Sequence, residues 1–274
     1  MKFALFGHQI GYSLSPGIHR EIAGAEFDYR ILDVPPEEFD QAVEERLPEF
    51  SGFNVTTPYK VRIMRHCDVF DPPVRKIGAV NTVLNRDGKW TGFNTDYLGF
   101  MRAFKKNIPD FLSYHPVVAG YGGAARAVLF ALRKMGFYAA TVYGGNSRQK
   151  RLNFIFSMKR QLCMQLLTVL PDMPRIWINC TPAGSERAPG VPGELIPGRR
   201  DDILFDLNYA PVPTFLENAA GQKGIKTFNG LEMLVFQAVE AQKIWRGNTF
   251  SGKTKTDGMK SRKSTDIPSS AEKQ

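Results

Sequence analysis

The apolar run Val117-Val118-Ala119 ends at Gly120-Tyr121-Gly122-Gly123, and Ala124 opens a segment to Met135 with apolar residues at Val128, Leu129 and Leu132. A strand, a glycine-rich turn and an amphipathic helix in that order leave few folds open. Glycines let a backbone come close to a ligand, and the helix that follows points its unpaired N–H groups at the turn, where they attract negative charge. The unit reads as the opening βα element of a doubly wound sheet that binds a dinucleotide pyrophosphate, with Gly120, Gly122, Gly123 and Ala124 as contacts. A G-x-G-G string by itself is weak evidence; its place between a strand and a helix is what gives it weight.

The residues downstream continue the pattern. Ala139 to Tyr143 is the next strand, and Gly144-Gly145-Asn146-Ser147-Arg148 follows where an adenosine ribose is expected to sit. A fold that binds NAD usually carries an acidic residue there, whereas a 2′-phosphate requires positive charge. Gly144 to Arg151 contains no acidic residue but does contain Arg148, Lys150 and Arg151. NADP is therefore expected, with Asn146 and Arg148 on its adenosine side; the competing reading of Arg148 is a solvated basic helix start. A helix is expected over Asn153–Leu167, with Met158, Leu162 and Leu166 as its core stripe. The strands Ile176–Asn179 and Ile203–Leu207 each end in a polar turn, the first holding Thr181 and the second Asn208 and Tyr209. Such turns gather at the carboxyl ends of strands, where a doubly wound sheet binds its ligands.

Before this region, strands at Lys2–Gly7, Tyr29–Val34, Phe53–Thr56, Ala79–Asn85 and Trp90–Asn94 alternate with helices at Pro16–Ala23, Pro36–Leu47 and Thr95–Lys106. That order predicts a second α/β sheet, mostly parallel, with its loops gathered at one edge. Ser15 before Pro16 is a good helix start, with the hydroxyl as cap; Ser13 and Ser15 also suit an anion beside that helix terminus. Three loops share one character: Asn54-Val55-Thr56-Thr57-Pro58-Tyr59-Lys60, Gly78-Ala79-Val80-Asn81-Thr82 and Gly92-Phe93-Asn94-Thr95-Asp96. Each alone reads as an ordinary turn. Together, with one Lys and one Asp among them, they suit a polyhydroxylated substrate, with Lys60 as acid or base. His19 has no visible partner and reads as a residue used for packing or a local hydrogen bond. The segment Gly230–Arg246 predicts a helix with Leu231, Leu234, Val235, Ala238 and Ala241 on its apolar face, beside which the Gln237 amide needs a partner.

Composition narrows the function classes. The 274 residues are 43% hydrophobic, enough for real cores, and no run approaches a membrane span. Part of the formal charge of +9 is local: Ser251 to Gln274 holds six basic residues against three acidic ones and no aromatic residue. Such a tail cannot bury enough apolar surface to become ordered, so residues 249–274 are expected to be disordered rather than to bind nucleic acid. Cys67, Cys163 and Cys180 lack paired ligand spacing, which points to a reducing, cytoplasmic compartment and no structural metal.

At this point the chain resembles shikimate dehydrogenases. The matching blocks are Ser13-Leu14-Ser15-Pro16 with His19, Asn54 through Lys60, Gly78 through Thr82, Asn94-Thr95-Asp96, the Gly120 turn, Asn179 through Gly184, Asp206 through Thr214 with Tyr209, and Gly230 through Gln237. The resemblance implies two α/β domains: a substrate domain, 1–100 with 231–248, and a Rossmann-type NADP domain, 101–230. It implies reversible oxidation of shikimate to 3-dehydroshikimate, a step of aromatic amino-acid biosynthesis, by a monomer or homodimer without nucleic-acid or membrane partners. Lys60 and Asp96 become the catalytic pair. Ser13, Ser15 and Tyr209 become the carboxylate site, Thr56, Asn81, Asp96 and Gln237 the ring-hydroxyl site, and Thr181 and Gly230 further cofactor contacts. A quinate or amino-shikimate enzyme of the same family, or a metabolite-binding regulator on the same fold, is the alternative. Two positions depart from the family pattern: Arg20, where Asn is common, and Tyr121, whose bulk must turn away from the pyrophosphate.

Overall fold

β1 (Phe3–Gly7) is buried along its whole length, as a strand with neighbours on both sides must be, and the first sheet grows outward from it. The computed structural model describes residues 1–144 and 147–247, so Asn146 and the basic tail lie outside the described residues. The sheet adds β2 (Tyr29–Asp33), β3 (Gly52–Val55), β4 (Val69–Phe70), β5 (Thr82–Arg86) and β6 (Lys89–Phe93), in the order β2-β1-β3-β5-β6-β4. β1 is parallel to β2 and β3, and β4 to β6, but β5 is antiparallel to both neighbours. The reversal comes from Asp87 and Gly88, whose φ values of 53° and 80° make a two-residue hairpin that favours the twist of its strands.

This mixed topology positions the chemistry. The carboxyl ends of β1 and β3 lie on the edge where β5 begins and β6 ends. The Ser13 loop, the Lys60 loop, Asn81 and Asp96 therefore meet at that edge although they are spread over more than a quarter of the chain.

The helical parts are α1 (Ser15–Ala23), α2 (Phe39–Gln41), α3 (Pro72–Ile77), α4 (Asp96–Asn107), α5 (Gly123–Lys134), α6 (Arg148–Leu162), α7 (Phe215–Gly221) and α8 (Leu231–Arg246). Three expectations are corrected. The helix at Pro36–Leu47 is not regular: α2 is one turn between a 3₁₀ turn (Pro36–Glu38) and a π stretch (Ala42–Arg46), then a further 3₁₀ turn (Leu47–Glu49). Pro48 has no N–H to donate, so an α ladder cannot continue through it, although Leu47 itself keeps helical φ and ψ. The helix expected at Asn153–Leu167 starts and stops earlier. Ser147 caps α6 by accepting from Lys150 N at 3.3 Å, Cys163 closes it with φ 49°, and Leu166 belongs to β9 (Gln165–Leu167). Leu166 is buried as the stripe demanded, but from a strand. Lastly, Ser15 does not cap α1; Leu14 is the cap residue, and Ser13 Oγ accepts from Ser15 N at 3.2 Å instead.

The second sheet contains β7 (His115–Ala119), β8 (Ala139–Tyr143), β9, β10 (Arg175–Asn179), β11 (Ile203–Asp206) and β12 (Lys226–Phe228). Its order is β12-β11-β10-β7-β8-β9, and every pairing is parallel. The order reverses between β7 and β10, the crevice at which such sheets take their ligands. α4 and α8 join the two sheets. Phe100, Phe104, Met233 and Phe236 share one buried core with Val118, Ala125 and Phe205, and each such side chain stabilises the packing by about 1.5–3 kcal/mol. The crossing is close because Gly99 has no Cβ; one there would sit 2.6 Å from Met233 O. α8 also reaches the first sheet, where Trp245 Nε1 donates to Val83 O at 2.9 Å. Among the described residues no helix is long and apolar enough to cross a membrane.

Candidate active site

Lys60 stands at the end of the loop leaving β3. Its neighbour Tyr59 is buried and donates to Val34 O at 2.6 Å, and Lys60 O accepts from Val80 N at 2.8 Å, so the loop is fixed on both sides of the amine. Lys60 Nζ donates to Asp96 Oδ2 at 2.7 Å, and the two side chains are only 15% and 6% exposed. Shielding from water makes such a charge-assisted bond strong and directional. Asp96 opens α4, where the helix terminus favours its charge. Its other oxygen accepts from Asn81 Nδ2 at 2.8 Å.

The amide network continues from there. Asn81 Oδ1 accepts from Thr95 N at 2.6 Å, and Asn81 Nδ2 also lies within reach of Thr95 Oγ1 and of Gln237 Oε1, at 2.9 and 3.4 Å. Gln237 thereby finds the partners its burial demands: Thr95 Oγ1 donates to its Oε1 at 3.2 Å, and its Nε2 donates to Leu234 O at 2.9 Å. At the other end, Ser13 Oγ donates to Ser15 Oγ at 3.2 Å and is 3.5 Å from the Tyr209 hydroxyl. Burial pushes Tyr209 up to about 12, so it stays a neutral phenol at neutral pH.

One cleft of about 190 Å³ collects these groups. Ser13, Ser15, Thr56, Lys60, Asn81, Asp96, Tyr209 and Gln237 all line it. Ala124, Thr181 and Gly230 line it as well, from the second sheet's side and the start of α8. Gly120 and Gly122 belong to the turn between β7 and α5 and are not among the cleft-lining residues, and Gly123 abuts Lys60. Gly120 has φ 101°, which side chains rarely adopt, and Gly122 caps α5 without a side-chain bond, so the N–H groups at the helix start remain available to an anion. Tyr121 packs its ring toward Phe154, 6.5 Å between centroids. The turn thus fits a dinucleotide. Arg148 is exposed at the first residue of α6, apart from the cleft lining.

Asp206 was not singled out from the sequence, yet it organises the second sheet's contribution. Its carboxylate accepts from Asn179 Nδ2 at 2.9 Å, Asn208 N at 3.1 Å, Asn208 Nδ2 at 2.9 Å and Thr214 Oγ1 at 2.7 Å. Asn208 Nδ2 also donates to Thr181 O at 3.1 Å, which joins the two polar turns. Burial raises Asp206 to about 7 although these donors pull the other way. The Asn208 amide is thus taken up within these turns, although the residue also lines the cleft. Burial also holds the Cys180 thiol far above its ordinary pKa, so it is inert in this cleft. Among the described residues no cluster of three or more His, Cys, Asp or Glu side chains is placed to hold a metal ion.

The arrangement is a largely buried Lys–Asp ion pair and an amide network in one cleft with a hydroxyl cluster, beside a glycine-rich turn. Residues 5–83 match the shikimate dehydrogenase substrate binding domain family. A shikimate dehydrogenase (NADP(+)) of Ignicoccus hospitalis is 36% identical over 252 residues, 90% of this chain and 94% of the relative. The chain belongs to the shikimate dehydrogenase family. A shikimate 5-dehydrogenase from Thermus thermophilus, solved in complex with NADP(H) and shikimate, is 34% identical with a TM-score of 0.73, over 90% of this chain and 94% of that one. A quinate dehydrogenase from Corynebacterium glutamicum in complex with NAD is 25% identical with a TM-score of 0.74, over the same shares of the two chains. As in other shikimate dehydrogenases, the fold is α/β with a Rossmann-like second sheet.

Proposed function

We propose that this enzyme catalyses the reversible NADP-dependent oxidation of shikimate to 3-dehydroshikimate. Family membership and the Thermus relative's complex with NADP(H) and shikimate support the reaction. The observation that carries the assignment of roles is the 2.7 Å pair of Lys60 and Asp96 in the cleft wall. Bound NADP supplies the hydride acceptor. As hydride leaves the carbinol carbon, the hydroxyl on that carbon must lose its proton, and Lys60 Nζ in its amine form is the group that takes it. Asp96 holds the resulting ammonium, and in the reducing direction the ammonium returns the proton to the ketone oxygen. Asn81 and Gln237, fixed by Thr95, orient the remaining ring hydroxyls together with Thr56. Ser13, Ser15 and Tyr209 hold the carboxylate with neutral hydroxyls.

On the cofactor side, Gly120, Gly122, Gly123 and Ala124 would hold the pyrophosphate, Thr181 and Gly230 would be further cofactor contacts, and Arg148 would meet the 2′-phosphate. Residues 1–100 with 231–248 act as the substrate domain and 101–230 as the nucleotide domain. A Lys–Asp pair kept at bonding distance favours an enzyme over a metabolite sensor, which has no use for a proton relay. The test is purified protein with shikimate or quinate and with NADP or NAD, followed by nicotinamide absorbance. Turnover greatest with shikimate and NADP is the expected result. A preference for quinate moves the chain to the sister activity, and no turnover with any pair supports the sensor.

A further inference from the structure

The turn after β10 contains a charge that the proposed chemistry leaves unused. Gly184 N donates to Ala188 O at 2.8 Å, Ser185 N and Oγ donate to Pro182 O at 3.1 and 2.6 Å, and Ala188 N donates to Ser185 O at 3.1 Å. Residues 184–188 thus hold their own shape. A further bond, Glu186 N to Ala210 O at 2.8 Å, ties this turn to the residue that follows Tyr209. Arg187, half-buried, lines the cleft from this turn together with Tyr12, Ser13, Ser15 and Tyr209. The Tyr12 and Tyr209 rings are 6.5 Å apart. Burial raises the Tyr12 hydroxyl's pKa, and Arg187 beside it pulls it back.

The charge balance of this wall is uneven. Of the residues lining the cleft, Lys60 and Arg187 are basic, and Lys60 is already matched by Asp96. Arg187 is in no ion pair among the described residues. The hydroxyls around it are neutral donors, which orient an anion but do not neutralise it. A guanidinium is always charged and presents a planar fork of donors suited to a carboxylate, and here the backbone bonds of its turn set its place.

We propose that Arg187 is a specificity-determining residue that supplies the counter-charge for the substrate carboxylate, completing the hydroxyl site of Ser13, Ser15 and Tyr209. This inference rests on the shikimate reading and deepens it. It also gives the nucleotide side of the cleft its own grip on the acid group, so that substrate charge helps hold the two sheets' loops together.

The test compares wild type and Arg187→Gln on shikimate and on its methyl ester, which keeps the ring hydroxyls and lacks the negative charge. On shikimate, kcat/KM is expected to fall about tenfold in the variant, chiefly through KM, the fold-change of one hydrogen bond to a charged group. On the ester the two proteins are expected to agree within about twofold, with KM for NADP and the melting temperature unchanged. If the ester turns over too slowly, calorimetric binding of both ligands gives the same comparison. An equal loss on acid and ester, or no loss on the acid, overturns the assignment. Failure of the shikimate reading is seen separately, as absent turnover of shikimate by the wild type.

Discussion

A Cβ placed on Gly123 would lie 2.8 Å from the Cβ of Lys60, so the first residue of α5 and the amine-bearing loop of the other sheet touch with nothing between them. The glycine-rich turn therefore limits where the Lys60 stem can stand. Gly123→Ala forces the Lys60 stem to move, and a misplacement of about an ångström in a reacting group costs on the order of 10- to 100-fold in kcat. Steady-state kinetics with a parallel melting curve checks this: kcat falls while the fold survives. An unchanged kcat would show that the contact has slack.

Lys60→Ala is expected to lower kcat by about a hundred- to ten-thousandfold and to leave shikimate binding within a modest factor, because a proton relay acts chiefly in the transition state. Turnover and calorimetric binding separate the two effects. Weakened binding with kcat intact would make Lys60 a positioning residue.

Arg148→Ala is expected to raise KM for NADP about tenfold and to leave KM for NAD nearly alone, since only NADP carries the 2′-phosphate. Kinetics with both cofactors decides it. Equal effects on the two, or a wild-type preference for NAD, would mean that this exposed arginine does not read the phosphate.

His19 makes stability depend on pH. Its ring is fully buried, stacked 4.2 Å from Tyr29, with Nδ1 2.9 Å from Gln242 Nε2. Burial lowers its pKa from 6.5 to about 3. The unfolded chain thus binds a proton that the folded chain refuses, so the contribution is present above about pH 6.5 and is lost as pH falls toward about 3. Between about pH 7 and pH 5 the loss amounts to about 2 kcal/mol. Denaturant titrations at the two pH values are expected to show this drop in wild type and a smaller one in His19→Gln. The same drop in both would assign it to other groups.

What the sequence made legible was local chemistry. The strand, G-x-G-G turn and helix and the Asn/Thr loops each depend on residues within a few positions, and each stands where its composition put it. Substrate-side residues gathered in one cleft because strand alternation dictated which loops share an edge. The failures share a cause as well. Leu166 satisfied a helical stripe while lying past a left-handed Cys163, since apolar spacing alone does not separate a helix end from the next short strand. Ser15 looked like a cap, but α1 already begins at Ser15, whose own N–H donates to Ser13 Oγ. Asp206 and Asn179 bond across neighbouring parallel strands, and Arg187 meets Tyr12 across the cleft; neither pairing is encoded by proximity along the chain.

The return of α8 to the first sheet has a consequence for synthesis. Residues 115–228 supply every strand of the second sheet from one uninterrupted stretch, although Met233 and Phe236 of its core come from α8. The first sheet is made earlier but finished later: Gln237, which closes on Asn81 and Thr95, and Trp245, whose ring lies tilted against Phe3 at 4.8 Å, are translated after the second sheet's strands. A nascent chain stalled before Leu231 therefore carries Lys60 and Asp96 in a half that still lacks its closing helix. Translation order thus withholds Gln237 and Trp245 from any product that stops before α8.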